Sequence, residues 1–310
     1  MHLPRRRFLQ ASAAFAAMVA AGCFRHQLPD HQPPSIVVDP PPIDDELRLV
    51  VLGDWGSGQI EQWQVAQGME SAASRLGGFH AGLMLGDNFY PAGVKSVDDP
   101  LWKLYFEQVY DTTHLARLPW YALLGNHDYG GNARAQIEYS QKNPRWIMPA
   151  EYWSHEFKAA DGAVLLQLIA VDTNKEFLPW PKQMAFLDAE LARARGPVIV
   201  AGHHPIYTAG NLGALERVKN AMRTKLVDAK VAAYLAGHEH NHQLIIRGGL
   251  TQLIQGGGGK RLTGLPWKDV AEGVKFALED YGFSVLRATR DGIHFDWCDR
   301  HGAVLYTHAL

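Results

Sequence analysis

The sequence predicts an α/β fold in which two mixed β-sheets pack together with helices on the outside. Three observations carry that expectation. Short apolar runs alternate with helically spaced apolar residues through the first half of the chain, the rhythm of parallel strands joined by right-handed crossovers. Beyond Gly237 the pattern turns to consecutive strands. Five times, at 50–54, 83–87, 122–126, 198–203 and 232–238, an apolar run meets a glycine and then a polar residue of metal-ligand type.

Taken in order, Leu49-Val50-Val51-Leu52 is continuously apolar, as expected of a strand covered on both faces. Ile60, Trp63, Ala66, Ala73 and Leu76 follow at helical spacing, and Gly77-Gly78 stops that helix. A strand at 82–85, a helix at 101–110 and a strand at 119–124 come next. Residues 129–150 read as a short helix and a long loop near the site. Strands at 152–157 and 163–171 flank a turn at Asp161-Gly162. Met184, Leu187 and Leu191 mark one helix face, and Leu215, Val218, Met222 and Leu226 another. Strands are expected at 243–247, 250–255, 283–288, 293–297 and 304–308.

The chain has 310 residues, enough to bury a full core, with 47% hydrophobic and 20% charged residues. A net charge of −2 gives no basic footprint for nucleic acid, so no nucleic-acid partner is expected. Histidine is abundant at 15 against two cysteines, which favours imidazole and carboxylate metal sites over thiolate ones. Cys298 reads as a small buried hydrophobe.

The N-terminus stands apart from the fold. Arg5-Arg6-Arg7-Phe8-Leu9-Gln10 resembles a twin-arginine export signal, and the apolar stretch 11–21 is short for a permanent span. Ala20-Ala21-Gly22-Cys23 resembles a bacterial lipoprotein processing site, with Ala20 where leucine is usual. Residues 1–22 are therefore expected to be a signal peptide. Residues 23–46, rich in proline, form a semi-rigid spacer, and 47–310 is the folded domain. The expected protein is exported, periplasmic or in the cell envelope, and meets a membrane only through a lipid on Cys23.

In open α/β sheets ligands bind beyond the C-terminal strand ends. The five glycine-preceded polar residues all fall there, and glycine lets backbone approach an ion closely. One such residue is a weak signal; five in order point to two metal ions with Asp87 between them. Gly256-Gly257-Gly258-Gly259 lacks the Lys-Ser/Thr of a nucleotide-binding loop and reads as a flexible turn at the site rim. Glu239 is expected to point away from the ions, Asn88 to support a ligand rather than be one, and Asp172-Thr173-Asn174 to be structural.

Gly53-Asp54-Trp55-Gly56, Gly86-Asp87-Asn88-Phe89-Tyr90, Gly125-Asn126-His127-Asp128, Gly202-His203-His204-Pro205 and Gly237-His238-Glu239-His240 together resemble the motif set of the calcineurin-like metallophosphoesterases. The likeness is greatest to the small, tartrate-resistant type of purple acid phosphatase, and runs from about residue 47 to 259. It implies the αββα sandwich and a catalytic domain acting on small phosphoesters. It also implies that Asp54, Tyr90 and His240 hold one ion, that Asn126, His203 and His238 hold the other, and that Asp87 bridges them. The first set has two carboxylates and a phenolate, and the second only neutral donors beside the shared carboxylate. Hard anionic oxygens suit a trivalent ion in the first site, and the imidazole and amide set a divalent one in the second; the resemblance implies Fe(III) in the first and Fe, Zn or Mn in the second.

The implied activity is hydrolysis of phosphate monoesters by a metal-bound hydroxide. His127 would stand beside the phosphate, with Asp128 orienting its ring. The histidine that such phosphatases carry in the loop after the fourth motif is missing from 206–215, and His204 is the nearest substitute. A phosphodiesterase or nucleotidase on the same scaffold is the alternative, though such relatives begin with Asp-x-His where this chain has Gly56. A lipid-anchored binding protein with a spent site is the second alternative, and it should have lost ligands.

Overall fold

The computed structural model describes residues 42–174, 180–267 and 271–310. The export signal expected in 1–22, Cys23 and most of the 23–46 spacer lie outside the described residues. The spacer's last residues do not behave as spacer. Ile43 is buried, pairs with Ala159 in a parallel bridge, and accepts a hydrogen bond from the Ala160 amide at 3.0 Å. Its side chain joins the inter-sheet core, so among the described residues packing extends at least to Ile43, ahead of Leu47.

In chain order the strands are β1 (Leu47–Leu52), β2 (Ala81–Met84), β3 (Trp120–Ala122), β4 (Trp146–Ile147), β5 (Trp153–Lys158), β6 (Val164–Ala170), β7 (Val198–Ala201) and β8 (Ala233–Ala236). They continue with β9 (His242–Arg247), β10 (Leu250–Gln255), β11 (Val274–Leu278), β12 (Gly282–Ala288), β13 (Ile293–Asp299) and β14 (Val304–Ala309). Among the described residues the α-helices are α1 (Ile60–Leu76), α2 (Ala133–Glu138), α3 (Trp180–Arg193) and α4 (Glu216–Asp228). Two seven-stranded mixed sheets result, ordered β14-β13-β12-β1-β2-β3-β4 and β11-β9-β10-β8-β7-β6-β5. The expected pair of packed mixed sheets is present.

Alternation along β1 explains its unbroken apolar run. Leu49 and Val51 face the second sheet, in a core shared with Leu168, Ile199, Leu235 and Leu253. Val50 and Leu52 face outward, against α1 and a layer of aromatic rings. The second sheet repeats the arrangement, with Val198, Val200 and Tyr234 packed outward on Met184 and Leu187 of α3 and Val218 and Met222 of α4. Each central strand thus has two covered faces and is mostly apolar, with a few buried polar residues such as Gln167 and Gln252 held by hydrogen bonds.

Parallel register then brings those ends together. In the first sheet Leu52 pairs with Met84, and Met84 with Ala122, so β1, β2 and β3 finish level. In the second sheet Ala170 pairs with Ala201, and Ala201 with Leu235. Two strands carry no clear signal in the sequence. β4 is too short to show a period, and β11 is a half-buried edge strand with a bulge at Val274–Phe276. The helix expected at 101–110 is wider than an α-helix. Residues Trp102–Glu107 are π-helical, with the Gln108 amide bonded to the Lys103 carbonyl at 3.0 Å. That geometry seats Trp102 and Phe106 among Trp55, Phe89 and Trp146.

Gly82 shows how tight this layer is. A Cβ there would lie 2.1 Å from the Trp120 ring, which is itself fully buried. Gly82→Ala is therefore expected to destabilise the protein by about 1–3 kcal/mol through overpacking, seen as a lower urea midpoint with an unchanged slope. An unaltered midpoint would show that Trp120 can move aside freely.

Candidate metal centre

The seven expected ligands converge, in two overlapping groups. The Tyr90 hydroxyl lies 3.0 Å from Asp54 Oδ1, 3.0 Å from Asp87 Oδ2 and 3.2 Å from His240 Nε2. His240 Nε2 is 3.5 Å from Asp54 Oδ1. In the second group Asn126 Oδ1 is 3.2 Å from His203 Nε2 and 3.2 Å from His238 Nδ1, and His203 Nε2 is 3.4 Å from Asp87 Oδ2. An octahedral shell with bonds of about 2.0–2.1 Å sets neighbouring donors about 3 Å apart, so both groups have the spacing of ligands around one ion. Asp87 Oδ2 belongs to both. Its other oxygen, Oδ1, accepts the His127 amide at 2.8 Å, which turns Oδ2 to the centre.

Backbone carbonyls set the imidazoles. His203 Nδ1 meets Leu85 O at 2.8 Å and His240 Nδ1 meets Arg261 O at 2.7 Å, so each ring turns its Nε2 to the centre. His238 is the exception and presents Nδ1. Asp54 is likewise divided: Oδ2 accepts the His238 amide at 2.9 Å and Oδ1 faces the centre. The first group is deep, with Asp54, Asp87, Tyr90 and His240 all buried. The second opens outward, since Asn126 is exposed and His127 is 40% exposed in its side chain.

The glycines at these corners act mainly through close approach. A Cβ at Gly125 would lie 2.2 Å from Asp87 Oδ1. The strained conformations fall on ligands themselves. Asp54, Asp87 and His238 have φ of 57°, 50° and 69°, a left-handed geometry costing roughly 1–2 kcal/mol per residue. The four glycines at 256–259 are no flexible turn. They are buried and tight, with the Gly258 amide on Gly53 O at 3.1 Å and the site of a Gly256 Cβ only 2.1 Å from Glu239 O. They join the end of β10 to the end of β1.

The charged partners of the two buried carboxylates in the centre are histidines. Among the described residues neither Asp54 nor Asp87 has a Lys or Arg ion pair. Burial disfavours a charged His203, but Asp87 and Asp54 outweigh it and raise its pKa to about 10. Burial also resists ionisation of Asp87, yet His203 and His127 beside it hold its pKa well below the usual carboxylate range. Burial, then Asp54 and Asp87, push the Tyr90 phenol well above its ordinary value. Burial, then the neighbouring charge of His203, lowers His238 to about 4. The donor set fits a hard cation on the side of the two buried carboxylates and the phenol, and a borderline divalent one on the side of the imidazoles and the amide.

His127 and Asp128 part company. His127 Nδ1 lies 2.6 Å from Pro91 O, so that carbonyl orients the ring and Nε2 points inward, 3.9 Å from Asp87 Oδ2. Asp128 does not orient His127. Its carboxylate accepts the amides of Asn88, Phe89 and Gly125 and the side chains of Asn88 and Gln136. With its lone pairs so occupied, it fastens the second motif to the third. Asn88 supports as expected, bonding Leu123 O at 2.8 Å and taking the Trp55 indole N–H at 3.1 Å. Glu239 points away and accepts from the Leu212 and Gly213 amides.

His204 joins the cluster. Its ring centroid is 4.6 Å from that of His238 and 5.0 Å from that of His203, and the three can place donor atoms within 4.8 Å of one another. Thr173, expected to be structural, does more. Its hydroxyl holds His204 Nδ1 at 2.7 Å and accepts the His204 amide at 3.0 Å. Its position just past the end of β6, level with the other site strands, is the signal that the sequence offers.

Comparison with known proteins agrees with this geometry. Residues 47–242 match the family described as calcineurin-like phosphoesterase. Tartrate-resistant acid phosphatase type 5 of Oryctolagus cuniculus is 35% identical over 222 residues, covering 64% of this chain and 68% of that one. Purple acid phosphatase 7 of Arabidopsis thaliana is 33% identical over 295 residues, covering 86% and 87%. Among solved structures, GAP50, described as the anchor in the inner membrane complex of Plasmodium, superposes with a TM-score of 0.76 at 26% identity, covering 86% of this chain and 89% of that one. Purple acid phosphatase PPD1 from yellow lupin (Lupinus luteus) shares the fold, with a TM-score of 0.64 at 17% identity over 87% of this chain and 55% of its own. The strand-end ligands, the twin mixed sheets and these relatives agree: the chain belongs to the calcineurin-like phosphoesterase family.

Proposed function

We propose that this protein is an acid phosphatase of the purple type, hydrolysing small phosphate monoesters at a pair of metal ions. The observation that carries the reading is Asp87 Oδ2, common to a buried oxygen-rich group containing Tyr90 and to a nitrogen-rich group open to solvent. Asp54, Asp87, Tyr90 and His240 would hold Fe(III), and Asp87, Asn126, His203 and His238 a divalent Fe, Zn or Mn. Bound there, the ions would supply an acidified water and neutralise phosphoryl charge. The acid phosphatases of Oryctolagus cuniculus and Arabidopsis thaliana support the monoester assignment by their names.

The chain's own groups do the remaining work. His127, half-exposed above Asp87 and fixed by Pro91 O, is placed to donate a proton to the departing ester oxygen. His204 reaches the same space from the second sheet. Burial, then His203 and His238, hold its pKa far below the imidazole range, so it acts as a neutral hydrogen-bond partner to phosphate rather than a second acid.

The diesterase alternative loses ground at Gly56. A Cβ there would lie 1.8 Å from Asn88 O, so a histidine at that position would displace the loop that carries Asp87 and Tyr90. The anchor role ascribed to GAP50 raises the spent-site alternative. Against it, all seven donor side chains are of ligand type and in reach of one another. We further propose export by the twin-arginine route and attachment to the cell envelope through a lipid on Cys23, motivated by Arg5-Arg6-Arg7 and Ala20-Ala21-Gly22-Cys23. No described helix is long and apolar enough to cross a membrane.

Purified protein is expected to contain two metals, to show a visible tyrosinate-to-iron band that Tyr90→Phe removes, and to prefer p-nitrophenyl phosphate over its bis-ester at pH 5. Colourless protein with only zinc or manganese would overturn the iron assignment, and a preference for the diester would overturn the reaction class. His127→Ala is expected to lower kcat about 10²–10⁴-fold, whereas His204→Ala should raise KM and change kcat less; the reverse split would exchange their roles. Cys23→Ser should move the protein from the membrane fraction to the soluble periplasm, and the anchor is wrong if wild type is already soluble there.

A further inference from the structure

Lys260 stands directly after the four buried glycines. Its ammonium lies 4.5 Å from the centroid of the Tyr90 ring. That is inside the range, about 6 Å, at which a cation is held by a ring's negative face. No carboxylate forms an ion pair with Lys260 among the described residues, so the ring is the partner of its charge. The placement is rigid. The Lys260 amide donates to Asp54 O at 2.9 Å, the Gly258 amide to Gly53 O at 3.1 Å, and the Ser57 hydroxyl to Gly259 O at 2.8 Å. A Cβ on Gly259 would strike Gln62 at 2.7 Å. The segment that delivers the cation is therefore clamped to the loop that delivers Asp54.

Tyr90 is held as firmly. Its hydroxyl is fixed by Asp54, Asp87 and His240, and its ring centroid is 4.7 Å from that of His127. A lysine anchored by its own backbone over a ring anchored by its own hydroxyl is a built contact. Its effect on the phenolate follows from electrostatics. The ammonium field lowers the energy of the ring's filled orbitals and makes the oxygen a weaker donor. With a metal bound there, a weaker donor would leave it more electron-poor and so better able to acidify water.

We propose that Lys260 is a positioning residue that tunes the bond between Tyr90 and the metal in the first site through its cation–ring contact. The inference rests on the reading of Tyr90 as an iron ligand. Lys260 follows Gly259 and lies outside all five strand-end motifs, so only the folded arrangement brings it to the site.

The test compares the visible absorption maximum of metal-loaded wild type, Lys260→Met, Lys260→Gln and Lys260→Arg at equal metal content. Removing the cation raises the donor orbital and narrows the gap to the metal. Lys260→Met and Lys260→Gln are therefore expected to shift the band to longer wavelength, and Lys260→Arg, which restores a cation over the ring, to return it toward the wild-type position. A coloured wild type whose band is unmoved in both neutral variants overturns the inference and leaves the iron reading standing. A colourless wild type overturns both.

Discussion

The centre depends on how the Asp87 carboxylate is divided. One oxygen is taken by the His127 amide, so the other must face both donor groups. That division needs the third strand-end loop to lie against the second, closer than any side chain at position 125 would permit. Asp128 secures the same approach from behind, gathering amides from both loops into one buried carboxylate. A ligand set that reads as five separate strand ends is in fact a chain of contacts, each loop bonded to the next.

Much of this was legible in the sequence, for a physical reason. Strands covered on both faces are mostly apolar, so a polar residue just past a glycine stands out against its surroundings. That contrast located Asp54, Asp87, Asn126, His203 and His238, and the resemblance added Tyr90 and His240. The residues that orient these ligands were harder to see. Pro91 and Arg261 act through backbone carbonyls, which carry no side-chain signature. Asp128 sits beside His127 in the chain, but a 3-10 turn at Asp128–Gly130 sends the two side chains apart. The glycines at 256–259 looked flexible because composition reports what a segment can do, and packing decides what it does.

The strain in the site has a similar logic. Left-handed backbone at Asp54, Asp87 and His238 is unfavourable locally and is sustained by the surrounding sheets. Aspartate tolerates that geometry better than most residues, because its short side chain can bond nearby backbone. His238 has no such help, and its amide is instead fixed by Asp54 Oδ2. Rigid placement of this kind is what lets two ions share one oxygen.

Both donor groups draw on both sheets. Asp54, Asp87, Tyr90 and Asn126 leave the first, and His203, His238 and His240 belong to the second. Ions bound between them would act as cross-links, adding to the apolar core and to the few hydrogen bonds, such as His203 Nδ1 with Leu85 O and the His238 amide with Asp54, that already join the two halves. The one described cysteine, Cys298, is free and buried, so no described disulfide does this work. Saturating such a site a hundredfold above its dissociation constant adds about 2.7 kcal/mol to stability, which would make the catalytic centre also the rivet of the sandwich.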